Sequence, residues 1–270
     1  MNLEAAETYV RRHTLEALIV ERNGEVLLER YGAGFDREKP HALYSGTKSF
    51  WGVTAVIARN EGLLSLDEPV SSTLAEWKDG VRSRVTLRQL LNLTSGIGFG
   101  GLGNAVPTVE AAIATLLKDE PGKTFTYGGI PLQVFGAVLA RKLGRSPQAY
   151  LTEKVLQPIG LHVASWRTLK DGTQPLPTGA QLGAGEWLKY GRYLIANAAT
   201  YAECFVGSKP NPRYGLGFWL SPLASHPALF YASGARGQAL YVDPPSGTVV
   251  VKFGDSASYN HATFLTRLSL

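Results

Sequence analysis

An α+β fold, with an antiparallel sheet made from the two ends of the chain and an all-helical lobe inserted between them, is what this sequence predicts. Three observations lead there. An Asn23-Gly24 pair sits between two strand-like stretches near the start, strand-like runs return only after residue 213, and the pattern between Ser45 and Ala199 is helical.

Taken in order, residues 3 to 12 have the spacing of a short amphipathic helix. Leu15 to Val20 and Glu25 to Tyr31 flank Asn23-Gly24, a dipeptide that suits a two-residue hairpin because both turn positions need positive φ. A connector from Gly32 to Pro40 then leads to Leu43-Tyr-Ser-Gly-Thr-Lys-Ser-Phe50 and the apolar run Trp51 to Ala58, which reads as a buried helix beginning near Ser45 and stopped by Gly62. Further helices are expected over Leu64 to Trp77, Leu87 to Leu93 behind Thr86, Val109 to Leu117 behind Thr108, Ile130 to Leu143, Ser146 to Val155 and Glu186 to Ala198. Tyr214 to Leu220, Leu229 to Ala232, Gln238 to Val242 and Thr248 to Phe253 read as strands, with a turn at Asp243-Pro-Pro-Ser-Gly247. The expected organisation is one domain over 1–270, with a sheet lobe from 1–44 and 200–270, a mainly helical lobe from 45–199, and a site in the cleft between them.

With 270 residues, 44% hydrophobic and 18% charged, the chain has ample material for a core. A formal charge of +5 without a basic cluster interleaved with aromatics argues against a nucleic-acid partner. Cys204 is the single cysteine, so neither an internal disulfide nor a cysteine metal cage is available. His13, His41, His162, His226 and His261 are scattered without ligand spacing and read as structural or surface residues; no metal and no cofactor is implied. The start of the chain lacks a basic segment followed by an apolar one, and no apolar run reaches membrane-spanning length, so the expectation for the chain as written is a cytoplasmic protein without a membrane partner. Oligomeric state is not legible.

Two glycine patterns carry little weight. Gly98 to Gly103 matches G-x-G-x-x-G by letter but follows a helix and does not open one, so a phosphate cradle would lack both supports. Gly122-Lys123-Thr124 resembles the end of a P-loop, yet Leu117 stands where its first glycine belongs. No G-x-S-x-G elbow is present.

Ser45 and Lys48 are three residues apart, close enough on a helix for the amine to take the hydroxyl proton if burial or neighbouring charge keeps it partly neutral. Ser-x-x-Lys arises about once by chance in a chain of this size. The pair therefore admits two readings, a nucleophile with its base or an N-cap serine beside a solvated lysine.

The pattern resembles the serine β-lactamase and penicillin-binding-protein superfamily, in particular its class C-like esterase and amidase branch. Ser45-Gly-Thr-Lys48 matches its first motif. Leu90-Leu-Asn-Leu-Thr-Ser-Gly96 is similar to Leu-Leu-x-His-Thr-Ser-Gly, with Leu93 for the histidine. Pro121-Gly-Lys-Thr-Phe-Thr-Tyr127-Gly-Gly129 is similar to the second motif, Pro-Gly-x-x-Phe-x-Tyr-Ser-Asn. Tyr214-Gly-Leu-Gly-Phe218 resembles the strand before the third motif, and Gly234-Ala-Arg-Gly-Gln238 with Tyr241-Val-Asp-Pro244 resembles that motif and the strand after it. The likeness runs through nearly the whole chain in the same order.

The resemblance implies a β-lactamase-like fold, Ser45 as nucleophile, Lys48 as its base and Tyr127 as a phenol relaying a proton to the leaving group. For Tyr127 the alternative is a core aromatic bonded through its hydroxyl. Two cationic or proton-sharing neighbours are expected to lower the phenol's pKa from about 10. The backbone amides of Ser45 and Ala235 are the implied oxyanion donors. Gly129, Ser233, Gly234 and Arg236 are the implied substrate contacts. Gly129 replaces an asparagine and Ala232 a lysine or histidine, so an amide anchor and a cation are missing. Arg236 either restores positive charge at the cleft or is a surface residue, and Ser233 either bonds substrate or fills a strand position.

The implied function is a serine hydrolase that forms an acyl-enzyme on a small ester or amide, carboxylesterase first, then linear-amide hydrolase, then β-lactamase or D-peptidase. A binding or sensor module of the same fold that does not turn over, and a nucleotide-binding protein using the stretch near Gly98, are the rivals from other classes.

Overall fold

The turn between the first two strands holds Asn23 at φ 51° and Gly24 at φ 82°, the left-handed values that a two-residue hairpin turn needs to match strand twist. In the computed structural model, which describes residues 1–270, this hairpin follows helix α1 (Leu3–Arg12) and comprises β1 (Ala17–Arg22) and β2 (Glu25–Tyr31). A short β3 (His41–Ala42) then leads into a 3-10 turn over Tyr44–Lys48 and the helix α2 (Ser49–Asn60).

The inserted segment carries α3 (Leu87–Leu91), α4 (Val109–Ile113), α5 (Ile130–Leu143) and α6 (Pro147–Leu151). Thr86 and Gln89 form a reciprocal capping box on α3, Ser146 caps α6 just ahead of Pro147, and α5 stops at Gly144 with φ 66°, each in keeping with the chemistry of helix ends. Two short strands, β4 (Ser165–Trp166) and β5 (Ala180–Leu182), precede α7 (Ala184–Ala196). The chain closes with β6 (Trp219–Leu220), β7 (Phe230–Gly234), β8 (Gln238–Asp243), β9 (Thr248–Phe253) and α8 (His261–Leu268).

The main sheet has the order β2-β1-β9-β8-β7-β6 and every pairing in it is antiparallel. The opening hairpin docks against the last strand, from Ala17 opposite Phe253 to Arg22 opposite Thr248. The expected α+β architecture is therefore present, with the sheet drawn from both chain ends. A second sheet of order β3-β5-β4 lies at the start of α7.

Period-2 alternation sorts the sheet's side chains between two cores. Ala17, Ile19, Leu240, Val242, Val249 and Val251 face α2 and the helical segment, while Leu18, Val20, Tyr241 and Val250 face α1 and α8. Helix α7 lies on the inner face of the sheet: a Cβ added at Gly191 would come within 2.3 Å of Val249, so only glycine lets helix and strand approach this closely.

Several expected elements differ. Leu64 to Trp77 forms only short 3-10 turns at Val70–Ser72 and Ala75–Trp77, since Pro69 cannot sit inside a helix and the run Ser71-Ser72-Thr73 favours turns over a helix interior. The strand expected from Tyr214 begins only at Trp219. Gly215 and Gly217 instead let an irregular backbone press on its neighbours: a Cβ at Gly215 would lie 2.0 Å from the Cys204 carbonyl and one at Gly217 would lie 2.4 Å from the Lys48 carbonyl. Helix α2 begins at Ser49, four residues later than expected. The strands at 165–182 and helix α8 were not anticipated. No helix is long and apolar enough to cross a membrane.

Candidate active site

Tyr44 is held at φ 47°, a left-handed backbone that is uncommon for a bulky residue. Its neighbours explain how it stays there. The Leu43 amide donates to the Ala180 carbonyl at 3.0 Å and the Gly46 amide to the Leu43 carbonyl at 2.8 Å. On the other side Gly234, at the end of β7, packs against the Leu43 carbonyl so closely that a Cβ would lie 2.1 Å away. The result turns Ser45 into a cleft of about 490 Å³ whose walls include Tyr127, Trp219, Ser233, Gly234, Ala235 and His261.

The 3-10 winding of Tyr44–Lys48 places side chains three apart directly over one another. Lys48 Nζ accordingly lies 2.9 Å from Ser45 Oγ. Its second contact is the Pro177 carbonyl at 3.4 Å, supplied by a segment that is itself pinned: Trp51 Nε1 donates to the Leu176 carbonyl at 2.5 Å, and the Leu176 amide donates to Gln133 Oε1 at 2.9 Å. Lys48 is 1% exposed and no carboxylate contacts it. Burial without a counter-charge pulls its pKa from 10.5 down to about 7.

Tyr127 stands across the cleft with Lys48 Nζ 4.8 Å above its ring centroid. Trp219 stacks on it at 5.7 Å and Tyr214 meets it edge-on at 6.1 Å. The expected lowering of its pKa is overturned. Burial raises it above the ordinary phenol value, only partly offset by Ser45 and Trp219. The physical reason is that the one nearby amine sits over the ring face and is itself drawn toward neutrality.

Of the other residues expected at the site, Ser233, Gly234 and Ala235 line the cleft and follow one another through the end of β7. Gly129 does not line it. A Cβ there would lie 1.9 Å from the Gly101 carbonyl, so the space an asparagine side chain would need is filled by backbone. The neighbouring glycines complete that contact, with Gly128 bridged to Gly100 and the Gly129 amide donating to the Gly100 carbonyl at 2.9 Å. The stretch Gly98 to Gly103 is thus a backbone pad beneath the second motif, with Leu102 and Gly103 reaching the cleft.

Arg236 does not bring a cation to the cleft. It has φ 64° and its guanidinium pairs with Asp255 on the exposed surface. Ala232 is buried in the core. The cleft walls thus carry no permanently charged side chain.

His261 is a polar site residue that sequence reasoning missed, as it missed the cleft walls Leu102, Thr178, Trp219 and Tyr231. His261 opens α8 behind the Asn260 cap, and its Nε2 lies 2.9 Å from Ser233 Oγ. A cap-plus-apolar signal was available in Asn260, Phe264, Leu265 and Leu268, but reading histidines by ligand spacing alone passes over it.

Comparison with known proteins identifies the family and the fold. The beta-lactamase family profile matches residues 11–212. Protein flp of Staphylococcus aureus (strain N315) is 25% identical over 187 residues, covering 62% of this chain and 37% of that protein. Esterase EstB of Burkholderia gladioli is 29% identical over 183 residues, covering 56% of this chain and 46% of that one. The chain thus spans less than half the length of these curated relatives. Among solved structures, EstCE1, described as a hydrolase with promiscuous acyltransferase activity, superposes with a TM-score of 0.80 at 19% identity, covering 98% of this chain and 97% of its own; at that identity the likeness concerns the fold.

Proposed function

Because the chain belongs to the beta-lactamase family, we propose that it is a serine hydrolase acting through an acyl-enzyme at Ser45, with small uncharged carboxylic esters as its first substrates. The observation that carries this reading is the 2.9 Å contact between Lys48 Nζ and Ser45 Oγ, made by an amine whose pKa is drawn down to about 7. At neutral pH a substantial share of that lysine is the free base, while Tyr127 remains a protonated phenol. Two groups pushed in opposite directions divide the work of base and acid between them.

In the proposed reaction the Ser45 hydroxyl proton passes to Lys48 as Oγ bonds to the acyl carbon. The resulting oxyanion is met by the amides of Ser45 and Ala235; one such donor is commonly worth about 3 kcal/mol. Collapse breaks the bond to the alcohol oxygen, which takes the Tyr127 proton, and Lys48 returns a proton to the phenolate. Water then attacks the acyl-serine, its proton passing through the same pair as Oγ departs.

The ester preference is supported by what the cleft lacks. An amide's poorer leaving group needs more anchoring, and neither the amide side chain at 129 nor a cation at 232 is available. Linear amides come second, and β-lactams or D-peptides third. EstB, an esterase by name, points the same way.

The test is turnover of p-nitrophenyl butyrate by wild type and Ser45→Ala, with intact-mass labelling by a fluorophosphonate. Sustained turnover and a single adduct, both lost in Ser45→Ala, are expected. Labelling that survives the substitution defeats the assignment, and a burst without turnover favours the sensor reading.

A further inference from the structure

Behind Ser233 runs a chain of hydrogen bonds that the proposed acyl transfer does not use. Ser233 Oγ lies 2.9 Å from His261 Nε2, His261 Nδ1 lies 2.7 Å from the Tyr241 hydroxyl, and that hydroxyl lies 3.0 Å from the Tyr259 hydroxyl. Its direction follows from counting protons, because each phenol has one to give and a neutral imidazole has one. The Tyr259 hydroxyl, in surroundings that hold its pKa well above 10, has the Tyr241 oxygen as its partner and donates there. Tyr241 then gives its own proton to Nδ1 of His261. The imidazole carries its proton on Nε2 and donates to Ser233 Oγ, whose hydroxyl proton has no acceptor in the protein and turns to the cleft. The opposite direction would leave the Tyr259 proton without an acceptor in surroundings that burial has largely withdrawn from water, which is unfavourable. The imidazole stays neutral because burial, reinforced by the Lys252 ammonium, lowers its pKa to about 4.

We infer that Tyr259, Tyr241 and His261 form a one-way donor relay that fixes the Ser233 hydroxyl as a hydrogen-bond donor into the cleft, making this subsite selective for an uncharged oxygen acceptor on the substrate, an ether, hydroxyl or second carbonyl oxygen, over a carboxylate. Aligned donors polarise one another, which strengthens the last bond in the series. A carboxylate in the same place would be desolvated against one neutral donor, an unfavourable exchange. The cations of this region are unsuited to help: Lys48 is engaged with Ser45 and the Pro177 carbonyl, Arg236 is paired with Asp255 at the surface, and Lys252 is fully buried beneath the Tyr259 ring, 4.2 Å from its centroid. His261 is thus a positioning residue acting through Ser233. This inference rests on the acyl-enzyme reading above.

The test uses matched esters in which one methylene is replaced by oxygen, pentanoyl against 3-methoxypropanoyl on the acyl side and butyl against 2-methoxyethyl on the alcohol side, each beside an anionic carboxylate counterpart. Wild type is expected to favour the oxygen-bearing member of at least one pair by about fivefold in kcat/KM, the worth of one neutral hydrogen bond, and to disfavour the anion. That ratio should fall to near unity in Ser233→Ala, His261→Leu and Tyr241→Phe. Nitrogen-15 NMR should find His261 in the Nε2-H tautomer and uncharged from pH 5.5 to 8, with the tautomer shifting in Tyr241→Phe. A ratio retained in the variants, a preference for the anion, an Nδ1-H tautomer, or titration near 6.5 overturns the relay. Ester turnover without any oxygen preference defeats the relay alone, whereas no ester turnover at all defeats the acyl-enzyme reading and this selectivity with it.

Discussion

Lys48 and Ser45 are joined by a hydrogen bond of 2.9 Å along a 3-10 turn, and the tighter winding is what stacks them. An α-helix would offset residues three apart around the helix axis, whereas three residues per turn superimposes them. Lys48→Ala is expected to lower kcat on p-nitrophenyl butyrate by at least about a hundredfold, the scale usual for a general base. Wild-type turnover in that variant would remove Lys48 from the reaction.

The same lysine sets the expected pH profile. Its active form is the free amine, and burial places its pKa near 7. In the proposed mechanism kcat/KM therefore rises with pH on a single limb centred near 7 and levels off above it. A profile flat from pH 5.5 to 8.5 contradicts the role given to this amine.

Tyr127, kept protonated by its surroundings, is proposed to serve the leaving group. The need for it should follow leaving-group basicity: p-nitrophenolate departs without a proton, and an alkoxide does not. Tyr127→Phe is expected to lose at least about a hundredfold on an alkyl ester and distinctly less on the p-nitrophenyl ester of the same acid. Equal losses on both would point to a structural role in the aromatic stack with Trp219 and Tyr214.

Gly129→Ala tests the packing beneath the second motif. The added carbon meets the Gly101 carbonyl at 1.9 Å, and overpacking of this kind typically costs about 1–3 kcal/mol. A lowered midpoint in urea is expected, with a larger loss for Gly129→Asn and no gain in amide hydrolysis. A Gly129→Ala protein as stable as wild type would show that the pad does not press on position 129.

Lys252 is fully buried and its Nζ has no hydrogen-bond partner. Burial lowers its pKa to about 8 against an ordinary 10.5, so the charged side chain destabilises the fold below pH 8, and the penalty fades as pH rises toward 10.5, where the unfolded chain is also neutral. Lys252→Met is expected to stabilise the protein by on the order of 2 kcal/mol at pH 6.5 and by much less at pH 10. It should also raise the pKa of His261, which the ammonium now depresses. A loss of stability at both pH values would show that the amine is held by contacts worth more than its burial costs.

Much of the fold was legible because the signals were local. Asn23-Gly24 announced its hairpin, β2, β9 and α5 have the bounds that their alternation and spacing predicted, and Thr86 and Ser146 mark helix starts. The remainder depended on contacts between segments far apart in sequence. Nothing local tells that Leu216 crosses α2 so closely that residue 52 must be glycine, or that Arg236 turns outward to Asp255. At the site, Ser45 and Lys48 could be paired from spacing, but the phenol's environment could not, since its pKa direction is set by burial that exists only once distant segments have closed around it. His261 belongs to the same class, meeting Ser233 only once α8 has folded back over the sheet.

The glycine pad carries one more consequence, for how such a chain can change over generations. With the Gly101 carbonyl occupying the place of any side chain at 129, a lineage cannot acquire an amide side chain there by a single codon change, because the loop from Gly98 to Gly103 would first have to be rebuilt. The two positions are locked to each other, so that side chains at 129 become accessible only through changes that also move the loop.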